Sequence, residues 1–186
     1  MTHTPQPDSF QRPLPVGAEV QSAGGVHFRV WAPVAARVAV VFGAKEDLSA
    51  AKEIALTAEA GGYRSGFVAD ARAGMHYRYR LESGAFPDTA SRFQPQGPHG
   101  SSRIVDPGTF EWSDHEWRGV ARKGQVIYEM HIGTFTLAGT WAAARAQLPH
   151  LAELGVTLLE VMPVADFPGR YGWGYDGVNL FAPTRL

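Results

Sequence analysis

The 186-residue chain predicts a multi-domain protein of β plus α/β class, an antiparallel β-sandwich of immunoglobulin-like type followed by a parallel βαβ unit. Three observations carry this. Between Val26 and Leu81, short stretches alternate apolar and polar residues and are split by Gly and Pro, as sandwich strands are. Two apolar-rich runs without such alternation, residues 126–135 and 156–164, read as strands covered on both faces. A stretch of helical spacing lies between these runs, and strand, helix, strand in that order makes a right-handed parallel crossover.

The elements follow in order. Residues 1–15 are rich in Pro and Thr and read as a disordered tail. Residues 16–85 form the sandwich. Val26, Phe28 and Val30 alternate with His27 and Arg29. Val38, Val40 and Phe42 follow the turn at Ala32, Pro33, Val34 and Ala35. Gly61 and Gly62 turn the chain before Tyr63, Ser65 and Phe67. Met75, Tyr77, Tyr79 and Leu81 point inward against His76, Arg78 and Arg80. Residues 45–59 are rich in Ala and Glu and fit either a loop with a short helix or a strand. Residues 86–124 read as a connector, an ordered coil pinned by side chains, with Phe110, Trp112 and Trp117 as anchors onto the domain that follows.

From residue 125 the βαβ unit begins. Thr140 stands at a helix N-cap; Trp141, Ala144, Leu148 and Leu151 keep helical spacing, and Gly155 stops the segment. Pro149 makes either a kink or the first turn of a second helical piece, since proline is tolerated only there.

Composition narrows the function classes. The net charge is −1, from 17 basic and 18 acidic residues with no basic stripe, so nucleic acid is not an expected partner. The chain has no cysteine, which excludes disulfides and thiolate metal sites. Its polar start has no secretory pattern, and no stretch is long enough to span a membrane, so a cytoplasmic protein without membrane partners is expected. No cofactor motif occurs: phosphate loop, nucleophile elbow and nucleotide fingerprint are all missing.

Residues 165–177 attract the functional reading. Phe167, Tyr171, Trp173, Tyr175, Asp166, Asp176 and Arg170 stand among four glycines, after the second strand of a parallel pair. Sites in such folds lie at the carboxyl ends of strands. Aromatic faces with nearby carboxylates suit a sugar ring and its hydroxyls. A Gly-rich loop whose aromatics only plug the top of the fold explains the same residues equally well. Other constellations have a plain alternative too. Asp114, His115 and Glu116 fit a solvated connector better than a metal site. Glu129 and Glu160 fit a structural role better than a catalytic pair. Trp31 could stack on a glucan or fill a core or interface position.

Several co-linear strings carry a resemblance. Val26-His-Phe-Arg-Val-Trp-Ala-Pro33 resembles the first strand of the β-sandwich module that precedes the catalytic barrel of glycogen branching enzymes and isoamylases. Val126-Ile-Tyr-Glu-Met-His-Ile-Gly-Thr-Phe-Thr136 resembles the first barrel strand of the alpha-amylase superfamily. Leu154-Gly-Val-Thr157 with Glu160-Val-Met-Pro-Val164 resembles the second, and Trp173-Gly-Tyr-Asp176 the loop after it. Ser91-Arg-Phe-Gln-Pro-Gln-Gly-Pro-His-Gly100, Ile104-Val-Asp-Pro107 and Asp166-Phe-Pro-Gly-Arg170 are similar to the malto-oligosyltrehalose trehalohydrolase subgroup, with Asp88-Thr89 as a small departure where Asp-Pro is expected.

The resemblance implies a carbohydrate-binding-module type of sandwich followed by the first βαβ portion of an incomplete (β/α)8 barrel in residues 125–186. It implies a retaining glycoside hydrolase that cuts the α-1,4 bond beside the trehalose end of malto-oligosyltrehalose and releases trehalose. Its substrate-binding residues would be Tyr175 as platform under the sugar, Asp176 beside it, and Trp173 and Arg170, with His131 packed below. Malto-oligosaccharide or malto-oligosyltrehalose is the implied partner. The family's catalytic acids come from later strands, and residues 125–186 fall far short of the ~250 of a full barrel. Asn179, the single asparagine, is not followed by the His of the third-strand pattern. The expectation is therefore a fragment that ends on the approach to a helix and is inactive alone. A non-catalytic α-glucan-binding module and a branching or debranching relative are the competing expectations.

Overall fold

A computed structural model describes residues 12–185; most of the segment expected as a loose tail lies outside them. The sandwich has two antiparallel sheets. In the first, β1 (Gly17–Val20), β2 (Val26–Trp31), β6 (Tyr63–Val68) and β5 (Thr57–Ala58) run in the order β1-β2-β6-β5. In the second, β4 (Lys52–Ala55), β3 (Ala39–Gly43), β7 (His76–Leu81) and β8 (Gly84–Phe86) run in the order β4-β3-β7-β8. The undecided residues 45–59 thus supply two strands. Alternation fills the space between the sheets as expected: Val26, Phe28, Val40, Phe42, Tyr77 and Tyr79 are buried in one core. Phe28 meets Tyr77 edge to face with ring centroids 5.2 Å apart.

His27 departs from the alternation. It lies on the outer face of β2 and is nevertheless buried, because the chain before β1 lies over it. The Arg12 guanidinium donates to His27 O at 2.9 Å and to Gly17 O at 3.0 Å, and stands 2.8 Å from His27 Nδ1. Leu14 N donates to Glu19 Oε1 at 2.9 Å. Residues 12–15 are therefore hydrogen-bonded to the sheet, contrary to a loose tail reaching Pro15. Burial and the adjacent guanidinium lower the His27 pKa to about 4, since both oppose a second positive charge.

The segment expected as a connector from residue 86 enters the second sheet. β9 (Ser102–Arg103) pairs with β7, and Ile104 is buried in the sandwich core. The coil between is pinned by side chains, as its composition implies. Asp88 accepts from Tyr77 O–H at 2.7 Å and from Ala90 N at 2.8 Å, and its own N–H donates to Ser102 Oγ at 2.9 Å. Burial raises the Asp88 carboxyl and pushes the Tyr77 hydroxyl well up, so this is a neutral-favouring pocket closed by hydrogen bonds. A two-residue strand is too short to show a period, which is why the sequence pattern does not reveal the pairing. Phe110, Trp112 and Trp117 do not dock as expected; all three are exposed, with Phe110 and Trp112 packed on each other at 4.8 Å.

The βαβ unit has β10 (Ile127–Met130) and β11 (Leu158–Val161) in parallel register, from Ile127 opposite Leu158 to Met130 opposite Val161. The first run is shorter than its apolar composition suggests: at His131 the backbone turns into α1 (Ile132–Phe135). Two helices follow, α2 (Trp141–Ala146) and α3 (Leu148–Glu153). Pro149 sits in the first turn of α3, where its missing N–H costs nothing, so the second of the two proline readings holds. Gly155 takes φ +86° after the helix, a conformation glycine adopts freely. Thr140 Oγ1 accepts from Ala143 N at 3.3 Å. Thr140→Ala is expected to cost about 1 kcal/mol through the lost cap, read as faster amide exchange in α2 alone.

The expectation of strands covered on both faces fails. Ile127, Tyr128, Glu129 and Val161 are exposed, because a two-stranded sheet with short helices covers one face only. The covered face holds Met130, Ile132 and Ala144 with Phe135, Leu159 and Val164. Only the first two residues of 165–177 are in a strand; the rest is loop. β12 (Ala165–Asp166) and β13 (Asn179–Pro183) pair antiparallel, so the segment expected to approach a helix is a strand. No helix among the described residues is long and apolar enough to cross a membrane.

Candidate functional site

A cavity of about 940 Å³ opens beyond the carboxyl ends of β10 and β11. One wall comes from the turn after β10, with His131 and Thr134; another from Met162 after β11. Arg170, Tyr171 and Trp173 close it from the hairpin loop. The parallel pairing brings these walls together, since it puts both strand ends on one side. His131 Nδ1 lies 3.3 Å from Thr134 Oγ1, which orients the ring. Gly174 has φ +88°, and a methyl there would stand 3.2 Å from Met162 Cε and 3.5 Å from His131 Cδ2. The loop can lie this close over His131 because position 174 has no side chain.

The four expected substrate-binding residues separate into two pairs. Arg170 and Trp173 line the cavity; Tyr175 and Asp176 do not. Tyr175 is 73% exposed on the loop's outer side. Asp176 turns inward on the loop itself: its Oδ2 accepts from Trp173 N at 2.8 Å, closing a tight turn that holds the indole out. Trp173 is 84% exposed and Tyr171 81%, so both rings reach solvent at the cavity. Tyr171 lies outside the expected four, although its ring carries the Arg170 guanidinium 5.3 Å from its centroid. An Arg-aromatic pair in a Gly-rich loop is the sequence signal that points to it.

No carboxylate lines this cavity among the described residues. Asp166 is fully buried at the loop's neck, where burial raises its pKa against the pull of Arg185. Glu129 and Glu160 stand opposite each other in the parallel register, both exposed on the sheet. Asp114, His115 and Glu116 are exposed, and among the described residues no group of three or more His, Asp or Glu is placed so that it could hold a metal ion. The arrangement offers aromatic faces, an imidazole, a hydroxyl and a guanidinium. Such groups suit the stacking and hydrogen bonding of a polar ring, and the described lining holds no pair of carboxylates. Trp31 is 60% exposed, with Nε1 donating to Gly61 O at 3.1 Å, so it belongs to the sandwich surface and not to its core.

Residues 15–107 match the family model of carbohydrate-binding module 48 (isoamylase N-terminal domain). The chain is similar to malto-oligosyltrehalose trehalohydrolase of Deinococcus radiodurans, 40% identical over 181 residues, which are 97% of this chain and 28% of that protein. It is also similar to the malto-oligosyltrehalose trehalohydrolase of Saccharolobus solfataricus, 43% identical over 159 residues, 85% of this chain and 27% of that protein. Among solved structures, one described as a putative alpha amylase from Salmonella typhimurium superposes with a TM-score of 0.83 at 44% identity, covering 92% of this chain and 28% of that one. The chain thus spans a little over a quarter of the length of these relatives.

Proposed function

Since this chain belongs to the carbohydrate-binding module 48 (isoamylase N-terminal domain) family, we infer that it forms the amino-terminal part of a glycoside hydrolase acting on α-glucans. The substrate in this reading is malto-oligosyltrehalose, cut at the α-1,4 bond beside its trehalose end with retention of configuration. The naming of the relatives supports that choice of substrate. The observation that carries the reading is the cavity at the carboxyl ends of β10 and β11, walled by His131, Arg170, Tyr171 and Trp173. In this reading β10 and β11 are the first two staves of a (β/α)8 barrel, and their exposed faces await the strands and helices that would cover them. The sandwich ends near residue 107, a linker follows to about 124, and the barrel portion runs from 125.

Sugar contact in this reading falls to Trp173 and Arg170, which line the cavity, while Asp176 supports the loop through its bond to Trp173 N and Tyr175, expected as the platform, lies outside the lining. The reacting carboxylates belong to strands outside these 186 residues. A second reading, glucan binding without catalysis, draws on the exposed Trp31 of the sandwich. One set of measurements separates the two. Titration calorimetry with maltoheptaose is expected to detect binding that Trp173→Ala weakens about tenfold, as loss of an aromatic anchor does. Assay of the 186-residue chain with malto-oligosyltrehalose is expected to release no trehalose. Binding lost with Trp31→Ala but unchanged by Trp173→Ala would transfer the site to the sandwich.

A further inference from the structure

The loop that bears Arg170, Tyr171 and Trp173 leaves β12 at Asp166 and returns to β13, its neck closed by Val178 N donating to Asp166 O at 3.0 Å. A neck alone leaves the loop's first turn free to swing. Arg185, two residues beyond β13, reaches back to that turn. Its Nη1 donates to Asp166 Oδ1 at 2.8 Å and its Nη2 to Gly169 O at 3.1 Å. Asp166 is fully buried, so this charged hydrogen bond acts with little competition from water.

The same guanidinium lies against the sandwich. A methyl built on Gly97 would stand 3.2 Å from Arg185 Nη1 and 3.4 Å from Cζ. Gly97 has φ +85° and belongs to a turn fixed from within, with its N–H donating to Gln94 O at 3.0 Å and the Gln94 side chain buried beneath. One planar group therefore bonds the loop's neck and the loop's base and fills the space where a side chain at Gly97 would stand. Lysine could keep the charge pair but has no second, fixed-angle donor for Gly169 O.

We propose that Arg185 is a positioning residue that ties the base of the 167–178 loop to the Gly97 turn of the sandwich and thereby sets the loop's place over the cavity. Its consequence for sugar rests on the binding reading above; the tie itself does not. The glycine at 97 is part of the device, since a side chain there would crowd the guanidinium at 3.2 Å and sit in a backbone conformation, φ +85°, that favours glycine. The sandwich then does more than sit beside the site: its Gly97 turn is one of the surfaces against which the loop is set.

Amide hydrogen exchange of the 186-residue chain tests this, with no sugar present. Arg185→Met is expected to speed exchange about tenfold at Trp173 and Val178, whose N–H groups donate to Asp176 Oδ2 and Asp166 O, while the β3 and β7 amides keep their protection. Arg185→Lys is expected to restore protection at Val178, beside Asp166, but leave Trp173 fast. Maltoheptaose affinity should fall in both variants, further in Arg185→Met. Unchanged exchange at Trp173 and Val178 in both variants overturns the proposal, as does acceleration spread evenly through the sandwich. If Arg185→Met does not fold, Arg185→Lys decides by the same comparison. Failure of the unaltered chain to bind maltoheptaose would sink the sugar reading and leave the exchange result to judge the tie.

Discussion

Phe28→Ala is expected to remove about 3–5 kcal/mol of stability, the usual cost of emptying a fully buried phenylalanine site. Phe28 is 0% exposed and lies at the centre of the sandwich core, on β2 opposite the aromatic residues of β7. Its ring meets Tyr77 edge to face, and Tyr77 meets Tyr79 at 5.8 Å, so removal also strips a partner from an aromatic chain. A domain of this size has only about 5–15 kcal/mol to lose, so the variant should be near unfolding at ambient temperature. Urea denaturation reads the effect as a lower midpoint at unchanged slope. Val34→Ala is the control: Val34 is 98% exposed, and its loss should stay within about 0.5 kcal/mol. A Phe28→Ala loss no larger than the control's would mean that the two sheets do not share this core.

Acid is expected to weaken the sandwich through His27. Its pKa in the folded chain is lowered from 6.5 to about 4, first by burial and then by Arg12. Above pH 6.5 neither the folded nor the unfolded imidazole is protonated, and the stability is full. Between 6.5 and about 4 the unfolded chain takes up a proton that the folded chain refuses, so stability falls as the pH drops. The whole window is worth about 3 kcal/mol. His27→Gln keeps a polar group beside Arg12 but removes the titration. Urea midpoints at about pH 7.5, 5.5 and 4.5, one above that window and two within it, should converge for this variant relative to the unaltered chain. Parallel pH slopes for the two proteins would show that His27 protonates freely and that the Arg12 cover opens.

Much of the fold is written in local patterns of the chain. Tyr77 and Tyr79 against Arg78 mark β7, and Thr140 with Pro149 and Gly155 marks two helical pieces and their stop. Each signal is local: a period of two, a hydroxyl at a cap, a proline in a first turn. The position of the expected site residues is only partly legible in the same way. Arg170 and Trp173 line the cavity, whereas Tyr175 and Asp176 do not, and the Asp176 carboxylate bonds Trp173 N within the loop itself. Tyr171 shows only as the neighbour of Arg170, and Arg185 carries no local signal at all. The tie from Arg185 to Asp166 spans 19 positions, and no periodicity links residues so placed.

The amino-acid order settled the alternating strands, the helix cap and the co-linear family strings, since each depends on neighbours a few positions away. The tertiary structure alone settled that β9 joins β7, that Arg12 covers His27, and that Arg185 bonds Asp166 and Gly169 beside Gly97. The reason is physical. Hydrogen bonds and burial between segments 15 to almost 90 residues apart have no local pattern, and they exist only once the sheets have closed and brought those segments within reach.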